Sequence, residues 1–237
     1  APRLFLQALA VAVIIAALPA DVRLLPLLPW WFERLLLLVA GLWFVNLTNF
    51  MDGIDWMTIA EMVPIAAALA LLGLLGALPS AGTAVALALC GALIGFAPFN
   101  RPAARIFLGD VGSLPIGLIV AWLLLLLAAD GQVAAAVILP LYYLADATLT
   151  LMRRIARGER FWQAHRTHFY QRATDRGFNV LEIVARVFAV NVVLVALAAA
   201  SVVWPGGRTD AATLAGAILV VGWLLHSFAR GKPWAAP

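Results

Sequence analysis

The feature that most constrains this chain is a series of long apolar windows separated by short polar segments. The windows fall near residues 3–18, 35–51, 60–78, 83–98, 112–129, 133–152, 183–204 and 212–229. With 65% hydrophobic and 12% charged residues, the chain has more apolar surface than a soluble core can bury. Because about 17–22 apolar residues cross the hydrocarbon layer as a helix, we predict an integral membrane protein with about eight spans, the first of them short.

The apolar windows are continuous rather than alternating, which favours helices over membrane-spanning strands. The predicted fold class is therefore all-α, a polytopic transmembrane helix bundle. No segment of the sequence has the composition of a soluble domain, and no repeat is visible, so residues 1–237 are predicted to form a single transmembrane domain.

Positive charge predicts the orientation of the bundle. If the spans alternate in direction, most basic residues fall on one side of the membrane, namely Arg3, Arg101, Arg105, Arg153, Arg154, Arg157, Arg160, Arg166, Arg172, Arg176, Arg186, Arg230 and Lys232. The other side receives Arg23, Arg34 and Arg208. By the positive-inside rule the crowded side is cytoplasmic.

The first polar cluster lies at the end of the second window. It presents two amides and two carboxylates three residues apart, at Asn46, Asn49, Asp52 and Asp55. On a continuing helix these side chains lie on neighbouring turns of one face, and Gly53 lets the helix open at the membrane surface. Such a set of polar groups can bind a hydrated cation and a sugar nucleotide. The alternative for Asp52 or Asp55 alone is the N-cap of the third span.

The second polar cluster, residues 99–113, connects the fourth and fifth windows. Gly109 and Gly112 flank the carboxylate of Asp110, where the fifth helix is predicted to begin. Asp110 is either the N-cap of that helix or a magnesium ligand beside a bound phosphate, because helix N-termini and nearby arginines favour phosphate.

The third polar cluster is the long basic loop that follows the sixth window. Seven arginines and two histidines, His165 and His168, lie between Arg153 and Arg176. One interpretation is an amphipathic interfacial helix whose aromatic side chains dip into lipid, namely Phe161, Trp162, Phe169 and Tyr170. The histidines favour contact with an anionic diphosphate over a zinc pair, since arginines rather than further zinc ligands surround them.

Asp146 lies inside the sixth window. A carboxylate within the membrane costs several kcal/mol unless it faces a polar cavity or a partner. We predict that Asp146 lines the site, with a structural role as the alternative.

These clusters resemble motifs of the polyprenyl-phosphate N-acetylhexosamine-1-phosphate transferase family, which includes phospho-N-acetylmuramoyl-pentapeptide transferase. Residues 46–55 are similar to its N-x-x-N-x-x-D-G-x-D motif, and residues 106–113 to its I-F-x-G-D-x-G-S motif. Residues 164–168 stand where the family has a histidine motif. The resemblance extends over essentially the whole chain.

The resemblance implies a reaction in which polyprenyl phosphate attacks the sugar-bearing phosphate of a UDP-N-acetylhexosamine or a deoxy derivative. The products would be a polyprenyl-diphosphate-sugar, which initiates cell-envelope polysaccharide synthesis, and UMP. It also implies Mg²⁺, with Mn²⁺ as a possible substitute, and a multi-pass protein of the bacterial inner membrane with a cytoplasmic active site. No nucleic acid polymer is expected as a partner, and a homodimer is left open.

The resemblance further implies roles for individual residues. Asp110 would bind the metal. The other predicted catalytic residues are Asp52, Asp55, His165 and His168. The predicted substrate-binding residues are Asn46, Asn49, Arg101, Arg105, Arg166 and Asp146, with the two arginines of the second cluster steering phosphate.

Two departures from the family pattern leave other hypotheses open. Trp56 stands where the family usually has glycine, and the earlier paired-aspartate motif, expected just before the first window, is absent. We therefore expect the chain to lack N-terminal helices, and residues 1–237 alone to be inactive. An inactive fragment or pseudoenzyme is the first alternative, and a secondary transporter that uses Asp146 is the second.

Overall fold

The computed structural model describes residues 2–160, 163 and 165–232. Within these residues the chain forms ten helices and no strand. The helices are α1 (Pro2–Ala16), α2 (Trp30–Met51), α3 (Met57–Leu74), α4 (Ser80–Phe96), α5 (Gly109–Ala129), α6 (Val133–Ile138), α7 (Leu141–Ala156), α8 (Phe169–Thr174), α9 (Val180–Val203) and α10 (Gly207–Arg230).

The predicted helical membrane fold is confirmed. Five helices, α2, α3, α5, α9 and α10, are long and apolar enough to cross a membrane, and α1 and α4 are shorter apolar helices. The number of spans and the side on which the loops lie stay predictions. Phe161, Trp162 and Ala164, which belong to the third polar cluster, lie outside the described residues.

The sixth predicted span is not one helix, because the window 133–152 is divided into α6 and α7 at Pro140. Proline has no backbone N–H to donate and disrupts the helical ladder. The buried Glu61 of α3 stabilises the new helix start, because its carboxylate accepts the backbone N–H of Tyr143 at 3.2 Å. Asn191 of α9 donates to the same carboxylate at 2.5 Å. A polar contact inside the bundle therefore joins three helices at the break.

The core of the bundle surrounds α3, which packs against α4 on one side and α9 on another. Leu69 and Met62 of α3 are fully buried. Large apolar side chains such as Leu75 and Leu219 instead point outwards and are mostly exposed. This inversion is expected where lipid rather than water surrounds the protein.

The three polar clusters meet at one end of the bundle. Arg3 at the start of α1 contacts Asp110 at the start of α5. The backbone N–H of Ala104 in the second cluster donates to Asp55 in the first cluster. Tyr170 in the third cluster donates to the carbonyl of Phe50 at the end of α2. Residues far apart in sequence are therefore brought together at this end.

Candidate active site

A cavity of about 390 Å³ opens between the first and second polar clusters. Its lining consists of Asn49, Asp52, Gly53, Ile54, Asp55, Asn100, Phe107, Leu108, Gly109 and Asp110. The structure thus brings together four of the residues predicted for the site, namely Asn49, Asp52, Asp55 and Asp110. Their predicted roles in binding and catalysis stay predictions.

The first polar cluster is not a single helical face, which corrects the prediction from its spacing. Asn46 and Asn49 lie on the last turns of α2, whereas Asp52 is the residue after the helix end and Asp55 lies in the connecting segment. The side chain of Asn46 donates to Gln7 of α1 at 3.2 Å and lies outside the cavity lining. The end of the helix turns Asp52 and Asp55 towards the second cluster.

Neither Asp52 nor Asp55 is the N-cap of α3, a position that Trp56 occupies. Asp52 accepts the hydroxyl of Thr58 at 2.6 Å. Burial raises the pKa of Asp52, and the bond from Thr58 opposes that effect. Asp55 accepts the backbone N–H of Ala104 at 3.0 Å and so fixes the second cluster beside the first.

Trp56 has a left-handed backbone, with φ of 62°. This conformation is uncommon for a bulky residue and natural for glycine, which gives a physical reason for the usual glycine of the family motif. Two contacts hold Trp56 in place: its backbone N–H donates to Asn100 at 2.9 Å, and its indole N–H donates to the carbonyl of Ala97 at 2.7 Å. Asn100 also donates to the carbonyl of Ile106 at 3.0 Å.

Asn100 therefore links the two clusters, a role that the sequence pattern did not predict. Its side chain is almost fully buried, at 5% exposure, although it lies in a polar loop. The sequence offered a weak signal, namely an asparagine at the end of an apolar window, because asparagine commonly bonds neighbouring backbone in such places.

Asp110 is the second residue of α5 rather than its N-cap, so the capping alternative is wrong. One carboxylate oxygen accepts the side-chain amide of Asn49 at 2.8 Å, and the other accepts the guanidinium of Arg3 at 2.5 Å. The amide of Asn49 also contacts the hydroxyl of Ser113 at 2.8 Å. Arg3, predicted only as one of the basic residues on the cytoplasmic side, is thus part of this site.

Oxygen donors around Asp110 have the chemistry that Mg²⁺ prefers. No group of three or more His, Cys, Asp or Glu side chains arranged for a metal occurs in the described part of the chain. Mg²⁺ is usually held by one or two carboxylates together with water and substrate phosphates. Asp110 and the hydroxyl of Ser113, both bonded to the side-chain amide of Asn49, fit a site of that kind, and the amide oxygen of Asn49 accepts from Arg3.

The third polar cluster contains the short helix α8, whose start is held by Asp146 of α7. The fully buried carboxylate of Asp146 accepts the backbone N–H groups of Phe169 at 2.9 Å and Tyr170 at 3.2 Å. It also contacts Nδ1 of His168 at 3.3 Å and accepts the hydroxyl of Thr150 at 3.3 Å. These contacts give Asp146 a structural role, and its predicted contact with substrate stays a prediction.

The proposed interfacial helix is wrong for the aromatic residues that the structure describes. Phe169 and Tyr170 are buried inside the protein, at 5% and 0% exposure, rather than dipped into lipid. The hydroxyl of Tyr170 donates to the carbonyl of Phe50 at 3.2 Å. Gly53 is required beside it, because a Cβ at that position would collide with the Tyr170 hydroxyl. The third cluster is therefore packed onto the back of the first.

Several predicted residues lie outside the cavity lining. His165 is half-buried and lies next to His168, with ring centroids 5.0 Å apart, whereas His168 is almost fully buried. Arg101, Arg105 and Arg166 are exposed. They form no ion pair with any residue that the structure describes. Their predicted contacts with phosphate remain predictions.

Burial lowers the pKa of His165 to about 4, and His168 and Arg154 act in the same direction. The unfolded chain titrates near 6.5, so below that pH the unfolded state binds more protons than the folded state. The contribution of His165 to the free energy of unfolding is therefore complete above pH 6.5 and is lost as the pH falls towards 4.

We therefore expect the variant His165→Gln to lose less thermal stability than the wild type between pH 7 and pH 5. Thermal unfolding in detergent at several pH values measures this difference. Equal losses in the two proteins would contradict the assigned protonation behaviour.

Comparison with known proteins identifies the family. A model described as glycosyl transferase family 4 matches residues 1–128. A decaprenyl-phosphate N-acetylglucosaminephosphotransferase of Mycobacterium tuberculosis is 29% identical over 221 residues, covering 81% of this chain and 54% of that protein. The chain thus spans about half the length of this relative.

Shorter matches occur to a second group of enzymes. A phospho-N-acetylmuramoyl-pentapeptide-transferase of Limosilactobacillus fermentum is 41% identical over 91 residues, which are 37% of this chain and 27% of that protein. The corresponding protein of Heliobacterium modesticaldum is 40% identical over 108 residues, 41% of this chain and 31% of that protein. The resemblance inferred from the polar clusters is confirmed.

The family match covers more than half of the 237 residues and includes both clusters that line the cavity. On this basis, the chain belongs to glycosyl transferase family 4.

Proposed function

We propose that the protein containing this chain transfers a sugar-1-phosphate from a UDP-N-acetylhexosamine, or a deoxy derivative, to polyprenyl phosphate. The observation that carries this proposal is the cavity in which Asn49, Asp52, Asp55 and Asp110 meet. Family membership supports the reaction type, because the relatives named above are phosphotransferases, and the mycobacterial one acts on decaprenyl phosphate.

In the proposed reaction an oxygen of the polyprenyl phosphate attacks the phosphorus that carries the sugar. A new P–O bond forms, the bond to the bridging oxygen of the diphosphate breaks, and UMP leaves with that oxygen. Asp110, with Asn49 and Ser113, would hold Mg²⁺, with Mn²⁺ as a substitute. When bound, the cation would neutralise charge that develops on the diphosphate.

The cavity residues have distinct tasks in this proposal. Asn49, Asp52 and Asp55 contact the nucleotide, with Asp55 also keeping the second cluster in register through Ala104. Thr58 orients the carboxylate of Asp52 by its hydroxyl bond. Asn46 supports the end of α2 from outside the cavity. The exposed arginines Arg101, Arg105 and Arg166 and the half-buried His165 act on the phosphates of the substrates, and the buried His168 holds His165 in position.

The acceptor lipid has a chemically suitable surface on the apolar helices of the bundle. An apolar groove of about 310 Å³ lies between α1, α2, α5 and the broken pair α6 and α7. Val11, Leu37, Leu124 and Val137 are among its lining residues. An isoprenoid chain is purely apolar, so such a surface favours it without any specific polar contact.

The cellular setting follows from the same proposal. The polar end of the bundle faces the cytoplasm of a bacterium, in keeping with the positive-inside distribution, and the protein is a multi-pass component of the inner membrane. Its product initiates a cell-envelope polysaccharide such as O-antigen, capsule or cell wall. A homodimer remains a prediction.

The test is release of UMP by membranes that contain the full-length protein, with undecaprenyl phosphate and a panel of UDP-N-acetylhexosamines. We expect UMP only when lipid, donor and Mg²⁺ are all present, and the active donor identifies the sugar. Absence of UMP with every donor would favour a pseudoenzyme instead. UMP formation without lipid would contradict the proposed acceptor.

The transporter hypothesis has less support. It requires Asp146 to face an ion path, but Asp146 is fully buried and accepts several hydrogen bonds. It lines neither the polar cavity nor the apolar groove described above.

A further inference from the structure

Arg3 is the basic side chain that reaches the candidate metal site. Its Nη1 donates to Asp110 at 2.5 Å, and its Nη2 donates to the side-chain oxygen of Asn49 at 3.0 Å. Asn49 in turn donates to the other oxygen of Asp110 at 2.8 Å. Both oxygens of the carboxylate are therefore engaged, and the guanidinium bridges two groups that would otherwise be available to a cation.

The ion pair between Arg3 and Asp110 can break easily. The side chains of Arg3 and Asp110 are each about half exposed, at 48% and 53%. An ion pair in this setting contributes little, because water competes for both charges. The guanidinium lies at the beginning of α1, on a long flexible side chain, so it can turn away without moving the helix.

The helix behind Arg3 is held more firmly than the side chain. One turn further along α1, Gln7 is buried and accepts the amide of Asn46 at 3.2 Å. Two turns beyond Arg3, buried Val11 packs so closely on Gly41 of α2 that a Cβ at Gly41 would lie 2.7 Å from it. The base of Arg3 is thus fixed within reach of the cavity.

We infer that Arg3 occupies the position of the divalent cation at Asp110 in the empty site and turns to the substrate diphosphate once a cation binds there. This inference rests on the proposed function. Before binding, the guanidinium of Arg3 neutralises the carboxylate of Asp110. After binding, the guanidinium of Arg3 is free to contact the substrate phosphates. Arginine and phosphate pair well because two N–H groups of the guanidinium can donate in parallel to two phosphate oxygens.

The inference predicts two opposite effects of the variant Arg3→Ala. Mn²⁺ binding without donor or lipid should become about two- to fivefold tighter, because the cation no longer competes with an exposed ion pair. Binding of UMP in the presence of Mn²⁺ should become about tenfold weaker, because a charge-assisted contact to phosphate is lost. The loss of free Mn²⁺ signal in electron paramagnetic resonance measures the first, and isothermal titration calorimetry the second, on full-length protein in detergent.

Three variants sharpen the comparison. Arg208→Ala removes an exposed arginine from the other end of the bundle and should change neither affinity. Arg3→Lys keeps the charge and should bind Mn²⁺ like the wild type. Asp110→Asn should weaken Mn²⁺ binding, because the site loses its carboxylate.

The outcomes separate this inference from the proposed function. Tighter Mn²⁺ binding in Arg3→Ala supports competition between Arg3 and the cation for Asp110, even if no donor yields UMP in the transferase assay. Unchanged or weaker Mn²⁺ binding in Arg3→Ala overturns it, and so does the absence of Mn²⁺ binding up to millimolar concentration in both proteins. Unchanged UMP affinity overturns the second half, the turn of Arg3 to phosphate.

Discussion

Replacement of Asp110 by asparagine is expected to lower turnover by at least about 10²-fold while the protein remains folded. The side chain keeps its size and can still contact Asn49, so packing at the start of α5 is preserved. What it loses is the negative charge that pairs with Arg3 and, in the proposed reaction, with the metal. Because Asp110 is half exposed, the loss of the pair alone has little effect on stability.

Single-turnover release of UMP by the full-length variant measures this effect, with thermal unfolding as the test of folding. Asp130→Asn is a matched control, since Asp130 follows the other end of the same helix and is exposed. Turnover in Asp110→Asn within a few-fold of the control would contradict the assigned role of Asp110.

Replacement of Asp146 by alanine is expected to destabilise the protein by about 3–5 kcal/mol. The variant leaves the backbone N–H groups of Phe169 and Tyr170 without their acceptor inside a buried region. It also removes the partner of the buried ring of His168. Each orphaned buried donor costs about 1–3 kcal/mol, so the losses add to a large effect.

Thermal unfolding of the purified variant in detergent measures this destabilisation. Asp146→Asn is the informative companion, because its carbonyl oxygen can still accept one backbone N–H, and its loss should be smaller than that of alanine. A midpoint for Asp146→Ala equal to that of the wild type would show that α8 does not depend on this carboxylate.

Two features, the helices and the position of the cavity, followed from the sequence because each depends on a short stretch of residues. The alternation of apolar windows and polar clusters predicted the helices, and the types of residue in the first two clusters predicted where the cavity would lie. Asn49, Asp52, Asp55 and Asp110 do line it. The local sequence was enough to predict the position of the cavity because each of these clusters adjoins a helix long enough to cross the membrane.

Other predictions failed where a distant contact decided the outcome. The spacing of the first cluster suggested one helical face, but α2 ends at Met51. The sixth window looked continuous, but Pro140 breaks it and Glu61 caps the new start. Phe169 and Tyr170 resembled lipid-facing aromatics, but they pack inside the protein against the first cluster.

The sequence by itself determined that this chain forms helices in a membrane, because lipid offers no partners for backbone N–H and C=O groups and each apolar segment must satisfy them internally. It also predicted the kind of chemistry, through the carboxylates and amides of its polar clusters. Only the tertiary structure decided which of these groups meet. Arg3 and Asp110 are separated by 107 positions and are brought together by packing between helices, which no local spacing encodes.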